Sequence, residues 1–183
     1  ISQRMDTWQL VHSNRLYKCF DRLSSAEFIG DHYGIQLRDA FLDIRFPAMQ
    51  ADVFRIAYLL AEGGIWINAA TVCLASMESW LVGREALLLL RRRHQVHPKI
   101  CTGLIVAPRA GHPLLAAAWT TIAKRLLARS GNNVYRDFGP RVLRDLLASG
   151  RFDHCIDVLL EADLSSCLQL GSSGSLLGSG THW

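Results

Sequence analysis

The stretch ADVFRIAYLLAEGGIWINAATVCL, Ala51 to Leu74, decides the fold expected for this chain. Met49 to Glu62 is apolar on nearly every face, with Pro47 in its first turn and Gly63 after its end. This pattern predicts a buried helix that ends in a left-handed residue. The run Ile65 to Ile67 has no polar alternation, so we expect a central strand covered on both faces. The helix and the strand should therefore lie at the heart of the domain.

The rest of the chain alternates between predicted strands and predicted helices. Strands are expected over 15–20, 85–90, 100–108 and 155–160, and helices over 24–33, 112–130 and 140–150. Such alternation predicts one α/β domain over residues 1–183, with a mostly parallel or mixed sheet flanked by helices. From Ser165 the composition shifts to Ser and Gly, so residues 165–183 are expected to form a flexible loop or tail, or in part a linker.

Composition limits the class of protein. The chain has 183 residues, of which 50% are hydrophobic and 20% charged, as expected of a globular domain with a substantial core. No apolar run approaches the roughly 20 residues of a membrane-spanning helix, and the N-terminus lacks a signal-peptide pattern. We therefore expect no transmembrane segment and a cytoplasmic location. The net charge of +4 is modest and lacks a long basic stripe with aromatics, so nucleic acid is not an expected partner.

The cysteines and histidines predict no metal centre. Five cysteines are widely spaced and odd in number, which fits neither a disulfide framework nor a zinc pattern, so we expect mostly reduced core residues. His94, His97 and His112 with Cys101 match no zinc spacing, and His112-Pro113 has a structural explanation as the entry to a helix.

Asp52 and Arg55 are the candidate functional residues of the apolar helix. They stand three residues apart and share a helix face, yet their neighbours are overwhelmingly apolar. One interpretation is a mutual ion pair near the helix N-terminus, where Asp52 also benefits from the helix dipole. The other is that both side chains point into a cleft and hold a polar ligand.

The order of the whole segment resembles the sugar-nucleotide-binding core of a large group of glycosyltransferases. That group covers the Asp-X-Asp enzymes of the capsular polysaccharide and Golgi mannosyltransferase type and the related clostridial glucosylating toxins. Its pattern is Ala-Asp-Leu-Phe-Arg, an apolar helix, Gly-Gly-Ile-Tyr-Leu, then Asp-X-Asp and a short apolar strand end. The likeness extends to Trp8 with HSNRLYKCFD (12–21), to TGLIVAPRAGHPLL (102–115) and to FGPRVLRDLL (138–147), and so covers most of the chain.

The resemblance implies a GT-A-like, Rossmann-like domain that acts as a retaining glycosyltransferase. Such an enzyme moves a hexose or N-acetylhexosamine from a UDP- or GDP-sugar to an acceptor, which here is an unknown glycan, lipid or protein. In that group a Mn²⁺ or Mg²⁺ ion bridges the diphosphate to the Asp-X-Asp carboxylates, which suits a hard cation. The group also begins with an apolar first strand, and here only Ile1 precedes the polar residues SQRMD.

The resemblance also assigns roles to individual residues. Asp52 and Arg55 match the positions that hydrogen-bond and orient the donor sugar. Trp66 takes the place of a tyrosine on the strand that enters the site. Trp8 matches a residue of the nucleotide-base pocket, although a core tryptophan is an equal interpretation, and His182-Trp183 match a C-terminal lid.

The two metal positions of the motif are occupied by Asn68 and Ala70, so both carboxylates are missing. Three explanations stay open: an engineered inactive variant, which is the leading one, a natural inactive homologue, or an enzyme that recruits its metal differently or dispenses with it. In the third case a cation such as Arg55 or one of Arg91 to Arg93 would face the phosphates. An alternative function is a non-catalytic sugar-nucleotide-binding or protein-interaction module on the same fold.

Overall fold

The computed structural model describes residues 2–92, 99–130 and 137–171. Within these residues, helices and strands come in short runs of one type rather than in the strict alternation that the sequence predicted, since four helices precede the first strand. Most helices begin or end at the prolines and glycines expected of them. In chain order they are α1 (Ser2–Val11), α2 (Arg22–Tyr33), α3 (Ile35–Leu42), α4 (Pro47–Glu62), β1 (Gly64–Ile67), β2 (Val72–Cys73), α5 (Glu78–Leu81), β3 (Leu87–Arg92), β4 (Lys99–Ala107), α6 (Pro113–Leu127), α7 (Pro140–Leu147), β5 (Ile156–Leu160) and β6 (Leu168–Gln169).

The main sheet is mixed. Its four strands lie in the order β1-β4-β3-β5. β4 is antiparallel to both of its neighbours, and β3 and β5 are parallel. A separate two-stranded sheet pairs β2 with β6. The α/β class and the mixed sheet flanked by helices are therefore confirmed.

The core has two parts, one on each face of the main sheet. Leu87, Leu89 and Ile105 belong to the larger cluster, in which α2, α3, α4, α6 and α7 pack against the sheet. Leu90 and Leu104 belong to the smaller cluster, which contains residues of α1 and of the β2-β6 pair. Alternate side chains of the strands serve opposite faces, which explains why these strands are almost continuously apolar.

The position predicted for β1 is half right. Trp66 packs against the larger cluster, whereas Ile65 and Ile67 pack against the smaller one, so the strand is covered on both faces as expected. Its predicted central position is wrong, because among the described residues β1 pairs with β4 alone and forms an edge of the sheet. An apolar run indicates that both faces of a strand are covered, but it does not indicate how many strands pair with that strand.

The strand predicted over 15–20 is absent, and this segment is irregular. Phe20 packs against the aromatic rings of Phe28, Phe54 and Tyr58 instead, while Leu16 is exposed. The helix that follows begins earlier than predicted, because Asp21 accepts a hydrogen bond from the Ser24 backbone N–H.

The Ser- and Gly-rich end is only partly described. The prediction of a flexible loop is wrong for 165–171, where β6 pairs with β2 and Cys167 and Leu168 are buried. Burial of these apolar side chains outweighs the loop-forming tendency of their neighbours. His182 and Trp183, predicted to form a lid, lie outside the described residues.

Candidate functional site

A buried ion pair between Asp52 and Arg55 lies at the centre of the candidate site. Only 7% of Asp52 and 5% of Arg55 is exposed. Arg55 Nη2 lies 3.0 Å from Asp52 Oδ1. The guanidinium also donates from Nε to the Ala51 carbonyl at 3.1 Å, and from Nη1 to the Thr102 carbonyl of β4. The ion-pair interpretation is therefore what the structure shows, and Arg55 ties α4 to the sheet.

Burial dominates the electrostatics of this pair. It raises the pKa of Asp52 from 3.8 to about 6, although the Arg55 charge acts in the opposite direction. Burial also lowers the pKa of Arg55, and there the Asp52 charge opposes the shift. Desolvation exceeds attraction in both residues, so the pair itself contributes little net stability. A pair kept under these conditions suits a site that needs fixed polar groups.

One oxygen of Asp52 is still available to a ligand. Oδ1 accepts from Arg55, and no donor to Oδ2 is present among the described residues. A narrow crevice adjoins the pair, with Thr102, Phe138 and Gly139 among its walls. It has no room for a water molecule. A sugar bound to Asp52 would therefore require these walls to separate.

Trp66 connects the ion pair to the end of β1. The Arg55 guanidinium lies over the Trp66 ring, 5.3 Å from its centroid, which is a favourable cation–π arrangement. On its other side, Trp66 Nε1 donates to Asn68 Oδ1 at 3.1 Å. Asp52, Arg55, Trp66 and Asn68 are thus joined in one continuous row of contacts. Four residues that the sequence resemblance selected are brought together by the fold.

The residues 68–71 form a tight turn at the end of β1. Asn68 N–H donates to the Gly103 carbonyl at 2.9 Å, and Thr71 N–H donates to the Asn68 carbonyl at 2.8 Å. The Ala70 carbonyl accepts from Arg4 Nη1 at 2.8 Å. The main-chain carbonyl oxygens of Asn68 and Ala70 therefore both already have hydrogen-bond partners.

These two positions do not fit a divalent metal ion. Such an ion needs anionic oxygen ligands, and the turn carries no carboxylate. The Asn68 amide oxygen is bound by Trp66 and the Ala70 carbonyl by Arg4. Within 2–92, 99–130 and 137–171 there is also no group of three or more His, Cys, Asp or Glu side chains that could hold an ion. An Mn²⁺ or Mg²⁺ cofactor stays a prediction from the resemblance alone.

Trp8 lies beneath this turn. It is buried in the smaller core cluster and donates from Nε1 to the Thr71 carbonyl at 3.0 Å. Its ring stacks on His12 with the centroids 6.0 Å apart. Trp8 was expected to be either a core tryptophan or part of a nucleotide-base pocket, and its burial agrees with the first interpretation. Contact with a nucleotide base stays a prediction.

Arg4 is the residue of this site that sequence reasoning missed. It belongs to α1, an unpredicted helix, and reaches a turn 66 residues away. The one signal for it is that Arg4 and Trp8 stand four residues apart and so share a helix face. That spacing identifies a face of α1 but not the turn that it meets.

The remaining candidates have structural roles or lie outside the described residues. His112 accepts from the Leu114 N–H through Nδ1 and contacts the Cys155 carbonyl through Nε2, which confirms the predicted helix entry. Burial lowers the pKa of His112. Arg92 pairs with Glu161 at 3.2 Å. Of these candidates, Arg93, His94 and His97 lie outside the described residues.

All five cysteines are free. Cys73, Cys101 and Cys167 are buried and Cys155 is partly buried, which agrees with the prediction of mostly core positions, whereas Cys19 is exposed. No described helix is both long and apolar enough to cross a membrane.

The fold is GT-A-like, the class found in glycosyltransferases: a mixed sheet flanked by helices, with the row of polar residues at the end of β1. Comparison with solved structures gives a particular neighbour. The PaToxG glycosyltransferase superposes with a TM-score of 0.54 at 14% sequence identity, over 68% of this chain and 44% of that one. The likeness at this level of identity concerns the fold.

A second solved structure, a transferase mutant, matches with a TM-score of 0.48 at 14% identity, over 74% of this chain and 50% of its own. This chain therefore spans about half the length, or less, of these two solved chains. No known protein family and no curated protein sequence matches it.

Proposed function

We propose that this domain binds a nucleotide-diphospho-sugar donor and descends from, or was engineered out of, a retaining glycosyltransferase. The observation that carries the proposal is the continuous row Asp52, Arg55, Trp66 and Asn68 at the end of β1. The GT-A-like fold supports it, because the row occupies the segment that resembles the donor site of those enzymes. The donor is a UDP- or GDP-linked hexose or N-acetylhexosamine, and the acceptor is a glycan, a lipid or a protein.

The ion pair supplies the polar contacts for the sugar. Asp52 Oδ2 accepts a hydrogen bond from a sugar hydroxyl, and Arg55 holds Asp52 in place through Oδ1. Arg55 is itself fixed by the carbonyls of Ala51 and Thr102, so little motion is needed to align the pair. Hydrogen bonds to charged groups are among the stronger ones in proteins, which favours recognition of hydroxyls.

Sugar transfer is absent from this chain under the proposal. Departure of a diphosphate leaves negative charge that must be stabilised, and in metal-dependent enzymes a divalent ion does so. Asn68 and Ala70 supply no carboxylate to hold such an ion. The chain therefore retains the frame of a transfer site without its metal-dependent activity.

Restoring both carboxylates tests the proposal. We expect no manganese-dependent donor hydrolysis by the wild type, and measurable hydrolysis after Asn68→Asp combined with Ala70→Asp. The matched control is Ala69→Asp, which adds a carboxylate to the same turn at the intervening position. Binding of UDP- and GDP-sugars is followed in parallel by ligand-detected NMR. No hydrolysis by the restored variant, together with no donor binding by either protein, contradicts the glycosyltransferase assignment.

A second candidate function is a non-catalytic sugar-nucleotide-binding or protein-interaction module. Trp66 donates a hydrogen bond to Asn68 and Arg4 donates one to Ala70, so the turn is held by protein contacts without a metal ion. This arrangement favours a non-catalytic module. Donor binding by both proteins with no hydrolysis by the restored variant would identify a binding module.

A further inference from the structure

The turn at 68–71 has unused hydrogen-bond donors. Trp66 Nε1 is a donor only, so the Asn68 group facing it must be the carbonyl oxygen. The amide Nδ2 of Asn68, which can donate two hydrogen bonds, is therefore left over. Among the described residues it has no acceptor.

Arg4 adds a positive charge to the same turn. Its guanidinium uses Nη1 to donate to the Ala70 carbonyl, and the side chain is otherwise exposed. No described carboxylate forms an ion pair with it. An arginine has five N–H donors in a rigid fork, so most of its donors are still free.

Contacts of α1 with the region around the turn hold this arginine in place. Thr7 Oγ1 accepts from the Cys73 backbone N–H at 2.9 Å, and Trp8 Nε1 donates to the Thr71 carbonyl at 3.0 Å. Both residues follow Arg4 in the same helix. These buried or partly buried bonds hold α1 against β2 and the turn, and the guanidinium itself is held by its bond to the Ala70 carbonyl.

The charge of the turn is reversed relative to a metal site. A divalent ion needs anionic oxygens, whereas this turn offers free N–H groups and one formal positive charge. We propose that the turn binds the diphosphate of the donor directly, without a divalent ion, with Arg4 supplying the countercharge and Asn68 Nδ2 a hydrogen bond. This inference rests on the proposed donor-binding function and specifies how its phosphates are held.

The test measures binding of inorganic pyrophosphate to the full chain by isothermal titration calorimetry in the presence of EDTA. We expect the wild type to bind, and Arg4→Gln to weaken binding about tenfold or more, as for loss of a charged hydrogen bond. Arg22→Gln is the matched control. Arg22 is also exposed and donates to a main-chain carbonyl, that of Leu42, at 2.6 Å, so its loss removes the same type of contact elsewhere.

Ala69→Asp provides an independent variant if Arg4→Gln fails to fold. Ala69 is exposed at the tip of the turn, and a carboxylate there should repel pyrophosphate and also weaken binding about tenfold. The inference is overturned if the wild type does not bind pyrophosphate in EDTA, or if binding is insensitive to the available turn variants.

A further arm separates this inference from the proposed function. A UDP- or GDP-sugar is titrated with EDTA and then with Mn²⁺. Binding that appears only with Mn²⁺ overturns the metal-free diphosphate site and leaves the donor-binding function standing. Pyrophosphate binding in EDTA without binding of any sugar nucleotide supports the anion site and contradicts the proposed function.

Discussion

Replacing Asp52 with Ala removes the carboxylate that pairs with the buried Arg55. Arg55 is 5% exposed, so its charge then lacks a compensating anion. Loss of one partner of a buried pair typically lowers the free energy of unfolding by about 3–5 kcal/mol. Arg55 keeps its bonds to the carbonyls of Ala51 and Thr102 and its position over Trp66. Burial also disfavours ionised Asp52 itself, as its raised pKa indicates, so removing it offsets part of the cost. We therefore expect the lower end of that range, about 3 kcal/mol.

The double variant Asp52→Ala with Arg55→Met is the control for this reasoning. It removes both charges and replaces the arginine with an apolar chain that can fill part of its space. Since an uncompensated charge is the source of the cost, the double variant should be more stable than Asp52→Ala alone by about 2 kcal/mol.

Urea unfolding followed by tryptophan fluorescence at pH 7.5 measures all three proteins. A domain of ordinary stability, about 5–15 kcal/mol, should stay folded after a loss of this size, so donor binding can be measured on the same sample. An Asp52→Ala protein within about 0.5 kcal/mol of the wild type would refute the reasoning, because Arg55 would then need no partner. A double variant less stable than the single one would refute it as well.

The pH dependence of the pair has a definite sign. The pKa of Asp52 in the folded chain is about 6, above its ordinary value of 3.8, so the folded state binds this proton more tightly than the unfolded state. The contribution of Asp52 to stability is therefore fully present below about pH 4 and is lost as the pH rises through 6. As the pH rises from about 4 through 6, the free energy of unfolding of the variant Asp52→Ala with Arg55→Met should therefore increase relative to that of the wild type.

Three further outcomes follow from single contacts. Trp66→Phe removes the donor to Asn68 Oδ1 and should lower stability by about 1 kcal/mol in urea. Gly63→Ala should lower the free energy of unfolding more than Gly64→Ala does. Both glycines have positive φ, but of the two only Gly63 would place a Cβ 2.8 Å from main-chain atoms. Equal losses in the two variants would contradict this packing argument. Burial lowers the pKa of His112 from 6.5, so the contribution of His112 to stability is present above that pH and is lost as the pH falls. Thermal unfolding of His112→Asn should lack this part of the acid dependence.

Local backbone rules account for what the sequence predicted well. Proline occupies the first turn of α4, α6 and α7 because it lacks the N–H that a helix start leaves unpaired. Gly63 ends α4 with a positive φ of 69°, which residues with a side chain rarely adopt. These features depend on a few neighbouring residues, and a single sequence contains them in full.

Other predictions were less successful because they concerned neighbours in space. The sequence of 15–20 predicts a strand, but the segment is irregular and Phe20 packs among aromatic rings of α2 and α4. The Ser- and Gly-rich composition after Ser165 suggested a flexible loop, although Leu168 finds a partner strand there. Composition carries local tendency, and burial against a distant element overrides it.

The sequence by itself determined the buried helix α4, the covered strand β1 and the presence of Asp52, Arg55 and Trp66 in order along them. Only the tertiary structure decided that β1 is an edge strand, that Arg55 is held by β4, and that Arg4 meets Ala70 across 66 residues of chain. Helix and strand periodicity follow from the geometry of adjacent residues. Contacts between distant segments depend instead on how the whole core packs, and the charge around the turn at 68–71 is set by such a contact.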